Sequence, residues 1–193
     1  MPTRPIEALL QPTSVVIVGA SPKQTVGGRI LKYALSASFQ RAVFPVNPNY
    51  DEIQGEKCFA SLAALPQRPD CVVVALPAGL VLDVLREAAG IGIHAAILVA
   101  EDFADAGTPE GRDRQSDLQR LAGENGMAVT GPCCMGVASL QYSFAHSYIS
   151  VPKDASPGGV SVVSQSGGLT NTASNWAEVG TLASTLAMQS PSY

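Results

Sequence analysis

Five short apolar runs alternate with helix-patterned segments over the first 130 residues, and this alternation constrains the fold more than any other feature. Ser14-Val15-Val16-Ile17-Val18 is a continuous run, mostly β-branched, stopped by Gly19. Such a run fits a strand buried on both faces, as in a parallel sheet. Further strands are expected over 42–46, stopped by Asn47, and over 71–76, stopped by Pro77. The last two fall over 95–99 and over 127–130, the latter stopped by Gly131. Helices are expected from the loop at 20–25 through about Phe39, over 78–89, and from Pro109 to about Asn125. Thr108 reads as the N-cap of that last helix and Gly126 as its stop. Gly55-Glu56-Lys57 reads as a turn, and Ser61 as the cap of a short helix through Leu65. The fold class that follows is α/β: a Rossmann-like, doubly wound parallel sheet with its ligand edge at the carboxyl ends of the strands.

A boundary is expected near residue 146. Residues 1–146 form the Rossmann-like domain, and 147–159, with Pro152, Pro157, Gly158 and Gly159, read as a linker. Residues 160–193 restart the pattern with a strand over 160–164, a helix over 169–179 and a strand over 182–188. One βαβ unit cannot cover both faces of its own sheet, so 160–193 read as an incomplete, truncated second domain. The apolar face of 160–188 is then expected to be exposed, dimerised or disordered.

Composition narrows the function classes. Hydrophobic residues make up 46% of the 193 and charged residues 15%, with a mean hydropathy of +0.18. A disordered chain has the opposite balance. The net charge of -4 argues against a nucleic-acid partner. No apolar run approaches the roughly 18 residues of a membrane span, and the chain reads as cytoplasmic. Cys58, Cys71, Cys133 and Cys134 form no C-x-x-C and have no zinc-like spacing to histidine, so reduced thiols and no metal are expected.

The first strand-to-helix loop carries the chemistry. Gly19 allows a tight turn, Ser21 can donate to a phosphate, and Gly27-Gly28 let a helix N-terminus approach an anion. The spacing is not G-x-G-x-x-G. An NAD site would want an acidic residue at the end of the second strand, where this chain has Asn47. Further on, Ser164-Gln165-Ser166-Gly167-Gly168 turns a strand into a helix and makes a second potential anion site.

These motifs occur in order: Gly19-Ala20-Ser21, Gly27-Gly28, Pro45-Val46-Asn47-Pro48, Leu76-Pro77-Ala78, Gly131-Pro132-x-Cys134-x-Gly136 and Ser164-Gln165-Ser166-Gly167-Gly168. Together they resemble the NDP-forming acyl-CoA synthetases, relatives of the α subunit of succinyl-CoA ligase. The resemblance implies a CoA-binding domain followed by the start of a flavodoxin-like ligase domain. It implies that Gly19, Ala20, Ser21 and Gly27 line the CoA phosphates and that Asn47 and Pro48 lie near the adenosine. Leu76, Pro77 and Ala78 would flank the nucleotide, Ala100 and Glu101 would border the pantetheine path, and Cys134 would lie near the arriving thiol. Ser166, Gly167 and Gly168 would face the phosphate of a phosphohistidine. Differences from the family pattern are Cys133 for the usual Asn, Asp102 for a Gly, and Asp105 for a Glu. His94 and His146 lie outside the family's histidine motif and read as structural.

The resemblance thus implies the CoA-binding N-terminal portion of an ADP- or NDP-forming acid–CoA ligase. It would make acyl-CoA from a carboxylic acid, CoA and ATP. The phosphohistidine, and an ATP-grasp domain or subunit holding ATP and magnesium, would lie outside this chain, and no catalytic residue is expected within it. Association with that domain, or a dimer, is the expected assembly. A second class of reading is a non-catalytic CoA- or nucleotide-binding module or sensor. A third is an NAD-binding redox protein.

Overall fold

A computed structural model describes residues 4–36, 42–139, 144–148, 161–164, 166–176 and 184–187. Helix α1 (Pro5–Leu10) leads into β1 (Ser14–Val18), α2 (Val26–Ser36) and β2 (Ala42–Val46). A small hairpin of β3 (Glu52–Ile53) and β4 (Glu56–Lys57) precedes β5 (Cys71–Val74), α3 (Ala78–Gly90), β6 (Ala95–Leu98), α4 (Pro109–Glu124) and β7 (Ala128–Thr130). Then come β8 (Gly136–Ser139), β9 (Phe144–Ser147), β10 (Ser161–Ser164), α5 (Gly167–Trp176) and β11 (Ser184–Ala187).

The main sheet has the order β2-β1-β5-β6-β7, with every pair parallel. From β1 the chain first moves to β2 on one side and then to β5 on the other. The topological switch, where open α/β sheets bind ligands, therefore lies between the carboxyl ends of β1 and β5. Alternation along the strands divides the core. Val15, Ile17, Val73 and Ile97 face α1, α2 and Phe144 of β9. Val16, Val18, Val72, Val74 and Leu98 face α3 and α4. Both faces of the central strands are buried, which is why they carry apolar side chains at consecutive positions.

Several expectations differ in detail. The tight turn falls at Gln54 and Gly55, with φ of +56° and +86°, because Glu56 and Lys57 pair back onto β3. Ser61 makes no side-chain cap, and the segment after it, Leu62–Ala64, is a single 3-10 turn. Strand β5 stops at Val74; Ala75 N still donates to the Val18 carbonyl at 2.9 Å, and the chain then turns away at Leu76. Thr108 does cap α4, its hydroxyl oxygen accepting from Gly111 N at 3.0 Å. The proposed extension of α2 to Phe39 lies outside the described residues.

A second sheet has the order β10-β11-β8-β9. Strands β10 and β11 are parallel, as a βαβ unit requires, and β8 pairs antiparallel with both β11 and β9. The strand pair within 160–193 therefore gains a partner from 136–139. At the outer edge Val163 is 67% exposed, and on α5 Leu169 is 52% exposed. Ser147 closes β9, and the rest of the proposed linker from 149 to 159 lies outside the described residues. The helix begins at Gly167, two residues before its expected start, and 177–179 lie outside the description.

The β8–β9 hairpin also packs against the α2 side of the five-stranded sheet. Val137 and Phe144 are buried in the α2-side core. Arg29 of α2 donates to the Tyr148 carbonyl at 2.8 Å, with its guanidinium 5.7 Å from the centre of the Tyr148 ring. Ile17 lies at the centre of this core with no exposed surface. Ile17→Ala should cost about 2–5 kcal/mol, read as a lower urea midpoint at unchanged m-value.

Candidate functional site

Backbone geometry builds the site. Gly19 ends β1 with φ of +88°, and a Cβ there would stand 2.3 Å from the Ala75 carbonyl oxygen. A Cβ on Gly27 would stand 2.1 Å from the Gly19 carbonyl oxygen. No side chain fits at either position, so α2 starts in direct contact with the end of β1. Thr25 precedes the helix and its hydroxyl oxygen accepts from Gly28 N at 3.2 Å. That bond satisfies one first-turn donor. The N–H groups of Val26 and Gly27, ahead of it, have no carbonyl within the helix to bond.

An open groove of about 350 Å³ lies at this junction. Its walls come from Gly19 and Ser21 after β1, Thr25, Val26 and Gly27 at the start of α2, Ala75, Leu76 and Pro77 after β5, and Val99 and Ala100 after β6. This is the switch point of the sheet. Ser21 Oγ accepts from Lys23 N at 3.1 Å, an arrangement that leaves its hydroxyl hydrogen available to an anion. A phosphate-bearing ligand suits the geometry: glycine permits close approach and the helix dipole favours negative charge.

The groove gathers six of the residues singled out in the sequence: Gly19, Ser21, Gly27, Leu76, Pro77 and Ala100. The others stand around it in different roles. Ala20 is buried, and its carbonyl accepts from Asn47 Nδ2 at 2.8 Å. Asn47 Oδ1 accepts from Asn49 N at 3.0 Å. Asn47 thus ties the β2 turn to the glycine loop, with exposed Pro48 beside it. Ala78 is buried at the start of α3, and Glu101 is exposed just beyond Ala100. Thr25, Val26, Ala75 and Val99 also line the groove but carry no sequence motif; their only signal is adjacency to Gly27, Leu76 and Ala100.

Cys134 is 2% exposed and belongs to the α2-side core. Burial pushes its thiol up to about 12, so it is protonated at neutral pH and a poor nucleophile. Cys133 beside it is half-buried with φ of +53°; desolvation, then the charges of Asp105 and Glu101, raise its pKa too. Asp102 is exposed with φ of +68°, the conformation the glycine of the family pattern adopts readily. Asp105 holds this loop, its carboxylate accepting from Phe103 N at 2.9 Å and Asp102 N at 3.3 Å. Arg114 donates to the Asp102 carbonyl from α4.

Ser166, Gly167 and Gly168 start α5, outside the groove. Ser166 Oγ accepts from Leu169 N at 3.2 Å, and Ser164 Oγ accepts from Ser166 N at 3.0 Å. His94 Nδ1 lies 3.0 Å from the Asn125 carbonyl at the end of α4, and buried His146 stacks on Phe144. Among the described residues no three His, Cys, Asp or Glu side chains gather as a metal site, and no helix is long and apolar enough to cross a membrane.

The glycine contact has a direct test. Gly27→Ala should cost more than about 2 kcal/mol in urea unfolding, because backbone on both sides must move. Gly123→Ala in α4, where a Cβ meets nothing within 4 Å, should instead gain up to about 1 kcal/mol.

The groove and its glycine loop fall within a match to known sequences. A family model described as a CoA binding domain matches residues 13–139. Trans-feruloyl-CoA synthase of an unknown prokaryotic organism is 34% identical over 168 residues, covering 85% of this chain and 24% of that protein. The α subunit of ADP-forming acetate–CoA ligase I of Pyrococcus furiosus is 31% identical over 173 residues, covering 85% of this chain and 36% of that protein. Among solved structures, the dinucleotide-forming acetyl-coenzyme A synthetase 1 of Ca. Korarchaeum cryptofilum, in complex with phosphate and ADP, superposes with a TM-score of 0.86. It is 29% identical, and the match covers 95% of this chain and 39% of that one. The chain spans about a quarter to a third of the length of these curated relatives. The matched region takes in the whole five-stranded sheet and every wall of the groove, and the chain belongs to the CoA-binding domain family.

Proposed function

We propose that this chain is the CoA-binding portion of an ADP-forming acid–CoA ligase and that the groove at the β1–β5 switch holds the coenzyme. The observation that carries this is the Gly19–Gly27 contact, which turns the unpaired amides of α2 toward a groove walled by apolar residues. The residues present fit CoA. The diphosphate would take the N–H groups of Val26 and Gly27 and the Ser21 hydroxyl. Leu76, Pro77 and Ala78 would flank the nucleotide, while Asn47 and Pro48 would border the adenosine end. The pantetheine arm would run past Val99 and Ala100 toward Glu101, with Cys134 beneath its end as a packing residue.

In this reading CoA supplies a thiol to be acylated, and the described residues bind and orient it. Ser166, Gly167 and Gly168 at the start of α5 would face the phosphoryl group during transfer. The carboxylic acid, the phosphohistidine and an ATP-grasp portion with ATP and magnesium would come from elsewhere in the longer enzyme or a partner subunit, in the cytoplasm. Names of the relatives support this assignment, since each of them is a CoA synthase or ligase. The NAD reading loses ground on Asn47, whose amide is spent on Ala20 and Asn49 where a dinucleotide site would present a carboxylate.

Calorimetric titration with CoA, 3′-dephospho-CoA and NAD tests the proposal. CoA should bind, with NAD much weaker, and Gly27→Ala should weaken CoA by about tenfold or more through lost charge-assisted hydrogen bonds. No heat with CoA, or a preference for NAD, would contradict it.

A further inference from the structure

One side chain on the loop after β7 lies against the start of α5. Cys133 N donates to the Ala100 carbonyl at 2.8 Å, so this loop begins on the groove's far wall. Two residues later the Met135 carbonyl accepts from Ser147 Oγ at 2.6 Å and from Tyr148 N at 3.3 Å. These bonds fix the Met135 backbone, while its side chain is only half-buried. That side chain lies on the first turn of α5. A Cβ built on Gly167 would stand 2.0 Å from Met135 Sδ, 3.1 Å from Cγ and 3.4 Å from Cε. The thioether therefore packs directly on the Gly167 backbone, two residues along the chain from the Cys133–Ala100 bond.

We infer that Met135 is a specificity-determining residue that limits the size of the acyl group carried on the CoA sulfur. The inference rests on the CoA reading of the groove. A thiol at the end of a pantetheine arm running past Ala100 would carry its acyl group into the space between Cys133 and Gly167, and Met135 occupies that space. Methionine is unbranched and adaptable, so a small acyl group fits beside it and a bulky one must displace it. A change of a single methylene in such a pocket alters discrimination by roughly tenfold or more.

The test is calorimetric titration of the full chain with CoA, acetyl-CoA and benzoyl-CoA. Wild type should hold benzoyl-CoA more weakly than acetyl-CoA. Met135→Ala should raise the affinity for benzoyl-CoA relative to CoA by roughly tenfold, and Met135→Leu, of similar volume, should keep the wild-type ratio. If Met135→Ala does not fold, Gly167→Ala probes the same space from the other side. Its methyl would push the sulfur toward the groove and lower the ratio of benzoyl-CoA to CoA affinity. A ratio unmoved by these changes, or acetyl- and benzoyl-CoA shifting equally, overturns the inference while leaving the CoA reading intact. Failure of wild type to bind CoA at all overturns the CoA reading, and this inference with it.

Discussion

The close approach of Gly27 to the Gly19 carbonyl is the constraint on which the site depends. A Cβ at Gly27 would come within 2.1 Å of that oxygen, and one at Gly19 within 2.3 Å of Ala75. Three backbone segments therefore meet with nothing between them: the end of β1, the start of α2 and the exit of β5. That meeting places the first turn of α2, whose leading amides have no carbonyl partner within the helix, at the wall of the groove beside the switch point. The flanking elements keep it in register. Asn47 anchors the glycine loop from β2, and Gln54 Nε2 donates to the Gly28 carbonyl at 3.0 Å from the small hairpin. In the proposed reading a phosphate would be held there by helix amides and a hydroxyl rather than by lysine or arginine, consistent with a chain that is acidic overall.

The second sheet is joined to this site through α2 and the β8–β9 hairpin. Phe144 and Val137 complete the same core as Ile17 and Ile30, so the hairpin is packing for the first sheet. Its strand β8 is also the antiparallel neighbour of β11. Arg29, two residues along α2 from Gly27, closes the link on Tyr148. One short hairpin therefore fixes both the helix that offers the amides and the sheet that carries α5.

Much of the first sheet was legible from the pattern of apolar runs alone. β1, β5 and β6 are buried on both faces, and their unbroken apolar runs announce it. The Thr108 cap and the positive φ of Gly126 follow from ordinary helix-end chemistry. The hairpin was not legible. Gly-Val-Ala-Ser and Phe-Ala-His-Ser are short, lack period-two alternation and become strands through pairing with each other and with a segment about fifty residues away. Helix α1 is six residues long, too short for a periodic signal. At the site, glycine and proline marked the loops, whereas Thr25, Val26, Ala75 and Val99 join the groove because their backbones pass it. Their side-chain chemistry gives no hint of that. Ser61 shows the opposite error: a good capping residue placed where the chain makes only one 3-10 turn.

The most direct measurement is residue-by-residue: backbone amide chemical shifts of the labelled chain during addition of CoA. If the diphosphate sits on the start of α2, the largest changes fall on Ser21, Val26 and Gly27, with smaller ones at Leu76 and Ala100 along the groove. Changes centred elsewhere, with the amides of Val26 and Gly27 unmoved while CoA binds, would contradict the placement of the coenzyme at the β1–β5 switch.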